Sequence, residues 1–203
     1  MREMAAYKTL LPLLVATVTI SICAGAGLRD HHIEGDSIIS LDTADNANGW
    51  TATASGGRGP LRINATVPGD LITDLQVAGL IGDPLYELNW KNATLWDTMD
   101  WTYTTTFDVN EEMLAAVAAG DDVLLVFDGI KMGATIVVND VTLGQATDEF
   151  LRYDFSLGSS GVLRAGINTV SVTFTRQMAV LGRFMASVSA CKRGREGSTR
   201  NIS

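Results

Sequence analysis

The residues able to do chemistry in this 203-residue chain are few and scattered. Carboxylates that could act lie at Asp83, Glu87, Asp97, Asp100, Asp128 and Glu149, and none belongs to a paired-carboxylate motif of the kind acid–base catalysis needs. Asp83 precedes Pro84, a turn-forming pair, and Asp128-Gly129 is a turn signal after an apolar run. His31 and His32 are the only histidines; adjacent residues of an extended chain point to opposite faces, so they do not share a metal. No other cluster has metal-ligand spacing, and the glycine-rich SGGRGP of residues 55–60 lacks the lysine–serine of a phosphate loop. These residue types predict no catalytic residue, no metal and no cofactor. What they offer is aromatic surface. Three of the four tryptophans, Trp90, Trp96 and Trp101, fall between Asp83 and Tyr103 together with Tyr86. Such rings either stack on sugar faces or fill a packing centre. Trp90, Trp96, Asp100 and Trp101 are therefore the candidates for a sugar-binding surface.

The elements that would position these residues are mostly strands. Short β-like runs cover Ser37–Leu41, Gly49–Ala54 and Leu61–Val67, separated by the turn Asn46-Ala47-Asn48-Gly49 and the glycine-rich loop. After Val67-Pro68-Gly69 one helix is expected: Asp70 caps it, Leu71, Ile72, Leu75 and Ala78 share a face, and Gly79 ends it. A second short helix, or a connecting turn, is expected over Glu111–Ala119 between Asn110 and Gly120. Strands follow at Thr102–Val109, Val123–Phe127, Ala134–Val138, Val141–Leu143 and Leu151–Leu157, with Asn139-Asp140 suited to a tight hairpin. Thr169–Thr175 alternates Val170, Val172 and Phe174 with threonine and serine, one face in and one out. Many short strands with one or two short helices predict a mainly β fold, an antiparallel β-sandwich.

Charge and termini narrow the setting. The net charge of −8 is uneven: residues 1–26 carry +1 and residues 176–203 carry +5, leaving residues 27–175 at −14. So acidic a body repels polyphosphate, which excludes nucleic acid as a partner. Arg2 and Lys8 precede the apolar run Leu10–Ile22, and Ala24-Gly25-Ala26 follows, the pattern of a secretory signal peptide cut after Ala26. The run is too short for a stable membrane span, which needs about 20 apolar residues. Asn64-Ala65-Thr66 and Asn92-Ala93-Thr94 are glycosylation sequons, consistent with export to a lysosomal or extracellular destination. Cys23 would leave with the signal and Cys191 has no partner after it, so no internal disulfide is expected. Residues 183–203 read as a solvated basic tail.

The ordered series Val67-Pro68-Gly69-Asp70, Asp83-Pro84-Leu85-Tyr86, Asn89, Trp96 and Asp100-Trp101-Thr102-Tyr103 resembles the N-terminal domain of the β-mannosidases of glycoside hydrolase family 2. The likeness continues through Phe127-Asp128-Gly129, Val138-Asn139, Leu143-Gly144, Tyr153-Asp154-Phe155 and Gly166-Ile167-Asn168, and covers roughly residues 37–182. It implies a galactose-binding-like jelly roll that, in the family, precedes immunoglobulin-like domains and a (β/α)8 barrel. The complete enzymes remove terminal β-mannose from glycans with retention of configuration. Retaining hydrolysis takes two carboxyl groups about 5 Å apart; in the family both are barrel glutamates, which nothing here matches. The Trp-Asp-Trp-Gly loop that the family's sandwich lends to the mannose pocket is also absent. The resemblance thus implies a non-catalytic sandwich domain, a fragment whose partners are its barrel and, through the whole enzyme, β-mannosyl glycans. A free-standing carbohydrate-binding or interaction module is the rival expectation.

Overall fold

The computed structural model describes residues 14–15, 18–23, 38–55, 61–89, 91, 99–158 and 161–176. Twelve strands and two helices occur among them. In chain order the strands are β1 (Leu14–Val15), β2 (Val18–Cys23), β3 (Ile38–Ser40), β4 (Trp50–Ser55), β5 (Leu61–Ala65) and β6 (Gly69–Asp70). After α1 (Leu71–Val77) come β7 (Asp100–Val109), α2 (Glu111–Ala119), β8 (Asp122–Phe127), β9 (Ala134–Val138), β10 (Val141–Ala146), β11 (Tyr153–Ser156) and β12 (Gly166–Phe174). One sheet runs β10-β9-β12-β7-β4-β5, a second runs β11-β8-β2-β3, and β1 pairs with β6. Every pairing is antiparallel. The sandwich expected from the sequence is the observed architecture.

Alternation places the core. In β7, Trp101, Tyr103, Thr105, Phe107 and Val109 turn inward while the intervening threonines face outward. β12 answers in register, with Trp101 opposite Phe174, Tyr103 opposite Val172 and Thr105 opposite Val170. The edge of one ring meets the face of another between Tyr103 and Phe174, 5.6 Å apart at 79°. From the smaller sheet, Ile20, Val123, Leu125 and Phe127 close the same core. Both helices begin and end where their residues dictate. The Asp70 carboxylate accepts from Thr73 N–H, the Asn110 side chain accepts from Met113 N–H, and Gly120 at φ +91 closes α2. α2 is therefore a helix rather than only a turn.

Asn139 (φ 47) and Asp140 (φ 69) make the tight β9–β10 hairpin. Buried Asn168 fastens this hairpin to the start of β12. Its amide donates to the carbonyls of Arg164 and Gly166, both at 2.7 Å, and its oxygen accepts from Arg164 N–H at 2.9 Å and from the Asn139 amide. Asn139 in turn donates to Val162 O and accepts from Thr169 N–H. At the other end, Trp50 Nε1 donates to Leu41 O at 2.6 Å. Thr105 donates to Gly49 O, fixing the turn before β4.

The N-terminal run, expected as a leader, carries two strands in the structure. Its residues Leu14–Val15 and Val18–Cys23 form β1 and β2, and β2 lies inside the smaller sheet between β8 and β3. The physical reason is compositional: a short apolar run rich in β-branched residues suits a buried strand as well as a signal h-region. The glycine-rich loop of residues 56–60, His31 and His32, Cys191 and the tail 183–203 lie outside the described residues.

Candidate functional site

The face to weigh is built by α1, the edge strand β5 and the loop of residues 82–91. α1 lays Leu71, Asp74 and Leu75 against the sandwich. Asp74 is buried, and its two carboxylate oxygens accept from Thr66 N–H at 3.2 and 3.0 Å. Burial raises its pKa above the ordinary 3.8, nearby Asp70 adds to the rise, and the Thr66 bonds oppose it. Behind it, the Tyr103 hydroxyl is buried with no hydrogen-bond partner, and desolvation pushes its ionisation upward, reinforced by the charges of Asp74 and Asp70. Between α1 and β5 runs an open groove of about 570 Å³ lined by Leu61, Ile63, Asn64, Asp74, Val77 and Leu80 among others. One carboxylate lines it, and that carboxylate is already committed to a backbone N–H.

The loop after α1 is tied to itself. Asp83 Oδ1 accepts from Leu85 N–H at 2.9 Å, and the Asn89 amide donates to Asp83 O at 2.9 Å. Asn89 packs over Gly82, where an added Cβ would lie 2.8 Å from its Nδ2. With Asp83 and Asn89 bonded within it, the loop turns apolar side chains out: Leu85 is 86% exposed, Tyr86 62% and Leu88 60%. Val77 on the neighbouring helix is 83% exposed. The exposed surface here joins these apolar side chains to the exposed Asp83, Glu87 and Lys91.

Of the sequence candidates, Trp101 is corrected outright: it is 0% exposed in the middle of β7, so neither ring face can meet a sugar. A strand with strict alternation cannot turn Trp101 outward while Tyr103 and Phe107 stay in the core. Asp100 serves the fold, its Oδ1 accepting from Arg176 N–H at 2.8 Å. Trp90, Trp96, Asp97 and the sequon asparagine Asn92 lie outside the described residues. Asn64 is exposed on β5, at the sheet edge. The remaining carboxylates are held in ion pairs or turns. Arg152 lies 3.4 Å from Asp128 and 3.5 Å from Asp154, and Lys131 pairs with Glu149 in a largely buried contact. Glu87 sits at φ 48 in the loop, a backbone position that serves the turn. Among the described residues no group of three His, Cys, Asp or Glu is placed to hold a metal ion. None of their helices is long and apolar enough to cross a membrane.

Sequence reasoning missed Asp74, Asn168 and the orphan hydroxyl of Tyr103. Asp74 was findable: positions 71, 74 and 75 share one helix face, so an aspartate at 74 lies between two buried leucines. Asn168 bonds locally to Arg164 and Gly166, but its tie to the Asn139 hairpin, 29 residues away, had no local signal.

Comparison with known proteins fits this arrangement. The sequence profile described as glycosyl hydrolase 2 galactose-binding domain-like matches residues 50–193, and the chain belongs to that family. Within it the chain is a β-mannosidase-like N-terminal domain. It is 38% identical over 104 residues to the β-mannosidase of Rattus norvegicus, covering 51% of this chain and 11% of the relative. It is 33% identical over 119 residues to the β-mannosidase of Bos taurus, covering 58% and 13%. The crystal structure of β-D-mannosidase from Dictyoglomus thermophilum superposes with a TM-score of 0.58 at 27% identity, over 68% of this chain and 16% of that one. The chain thus spans little more than a tenth of the length of these curated relatives.

Proposed function

We propose that this chain is the non-catalytic N-terminal sandwich of a retaining glycosidase that hydrolyses terminal β-mannose, and that the chemistry belongs to a barrel elsewhere in the polypeptide. The observation that carries this reading is the fate of the carboxylates. Asp74, Asp83, Asp100, Asp128, Glu149 and Asp154 each engage a backbone N–H or a basic side chain, so none of these six described carboxylates is paired with another as acid and nucleophile. The apolar loop of Leu85, Tyr86 and Leu88 supports it from the other side. A solvent-facing patch of this kind suits a neighbouring domain better than free water. The relatives, in which this domain is a small part of a β-mannosidase, agree in kind. Export through the secretory pathway to a lysosomal or extracellular site, with a glycan on exposed Asn64, belongs to the same proposal.

The test is to assay the chain, and a polypeptide extended along its transcript beyond Thr175 into a barrel, on an aryl β-mannoside. Turnover by the extended form alone is expected. Turnover by the chain itself would overturn the reading, and so would a transcript that stops after the basic tail in independent clones. Saturable binding of β-mannosyl oligosaccharides by the chain alone would favour the rival, a free-standing carbohydrate-binding module.

A further inference from the structure

The N-terminal run occupies a place that a removable leader should not occupy. β2 pairs with β8 over six positions, from Val18 opposite Phe127 to Cys23 opposite Asp122. On its other side it pairs with β3, from Thr19 opposite Ser40 to Ser21 opposite Ile38. β8 and β3 are joined only through β2, so without it they would stand about 9.6 Å apart, two strand spacings, with two unpaired edges facing each other. The register is also pinned at one point. Val18 N–H donates to the Asp42 carboxylate at 2.9 Å, and Val18 O accepts from Leu41 N–H at 2.8 Å. Val18 and Ile20 are both 0% exposed and belong to the core with Leu125 and Phe127. Yet cleavage after Ala26, the site the leader pattern marks, would remove every residue of β1 and β2.

We propose that the gap between β8 and β3 is a strand-acceptor site, specific for an extended apolar segment running antiparallel to both edges, and that the chain's own Val18–Cys23 is its occupant. Backbone hydrogen bonds to two edges hold the segment regardless of sequence. The sealed positions of Val18 and Ile20 select small branched apolar side chains, and Asp42 sets where the segment starts. Removal of the N-terminal run is then not neutral for the fold. It vacates the inside of a sheet and uncovers Leu125 and Phe127, so targeting and folding draw on the same residues.

The test uses the full chain, produced without export so that the run stays attached, with a site-specific protease sequence inserted between Ala26 and Gly27. After folding and cutting, peptide 1–26 should remain bound through size-exclusion chromatography. Amides of Leu124 and Val126, which face Ser21 and Thr19 of β2, should keep their hydrogen-exchange protection. The variant Ile20→Asp, cut in the same way, should release the peptide and lose at least about 100-fold in protection at those amides. An intact, uncut Ile20→Asp chain reports whether the rest of the sandwich still folds, through protection of β7 and β12. Release of the wild-type peptide with β8 protection unchanged would overturn the proposal. Protection of β8 by dimerisation of the cut chain, with the peptide lost, would overturn it as well, since a second copy would then be the occupant.

Discussion

Replacing Asn168 tests whether the sandwich depends on a single buried amide. Asn168 is 0% exposed and makes four hydrogen bonds, to the carbonyls of Arg164 and Gly166, to Arg164 N–H and to the Asn139 amide. Asn168→Ala removes all four from one side. A buried polar group left without its partner costs roughly 1–3 kcal/mol. The two carbonyls lie beside exposed residues of the 161–166 loop, where water can recover part of the loss, whereas the Asn139 amide keeps its bond to Val162 O. The expected destabilisation is therefore about 3 kcal/mol rather than the sum of four bonds. Urea denaturation of the full chain, followed by tryptophan fluorescence, measures it. Asn168→Asp sharpens the test, because an ionised carboxylate cannot donate and sets negative charge against two carbonyl oxygens. Its folded-state pKa must then exceed the unfolded one. The charge penalty is present in full above the folded value and fades as pH falls through it, so Asn168→Asp should recover stability on acidification while Asn168→Ala does not. A loss below about 1 kcal/mol for alanine, or parallel pH profiles for the two variants, would refute the reasoning.

Three further outcomes follow from the same structure. Tyr103→Phe deletes a buried hydroxyl that has no partner, so we expect stability unchanged or raised by up to about 1 kcal/mol in chemical denaturation, and a loss beyond that would show the hydroxyl to be bonded. Asp74→Asn keeps an acceptor for Thr66 N–H and removes a buried carboxylate whose pKa is raised. Wild-type stability should fall as pH rises from the ordinary aspartate value of 3.8 through the raised folded value, and that slope should flatten in the variant when melting is followed against pH. Gly144→Ala places a Cβ 2.6 Å from the ring of Phe155, which stacks on Tyr153 and meets Phe127 edge-on, so a loss of about 1–3 kcal/mol is expected in thermal or urea melts.

How much of this was legible in the sequence depended on how local each cause was. The alternation of Val170, Val172 and Phe174, the caps at Asp70 and Asn110, and the hairpin residues Asn139 and Asp140 act within a few residues, and the structure places them as expected. Strand order could not be read. That β7 sits between β12 and β4 depends on which apolar faces match across 45 or more residues of chain. The site was legible mainly by exclusion. Spacing alone predicted no catalytic pair, but it could not decide whether Trp101 faced sugar or core. That took the phase of β7, which runs from Asp100 and turns Trp101 inward.

The residues that made the chain recognisable are mostly not those that would touch a substrate. Asn139 and Asn168 lock a hairpin, Gly144 admits the Phe155 ring, and Asp83 with Asn89 closes a loop over Gly82. Each is a polar or small residue at a place where the backbone needs a partner or a close approach that few other side chains supply. Such positions constrain identity more tightly than core positions, where Leu, Ile and Val exchange at modest cost. A likeness carried by them therefore transmits fold before it transmits chemistry. One part of the described surface open to a partner is Leu85, Tyr86 and Leu88, presented outward by a loop that Asp83 and Asn89 tie to itself. For a catalytic neighbour docking there, the loop's internal hydrogen bonds lower the cost of ordering and its exposed apolar side chains the cost of lost hydration.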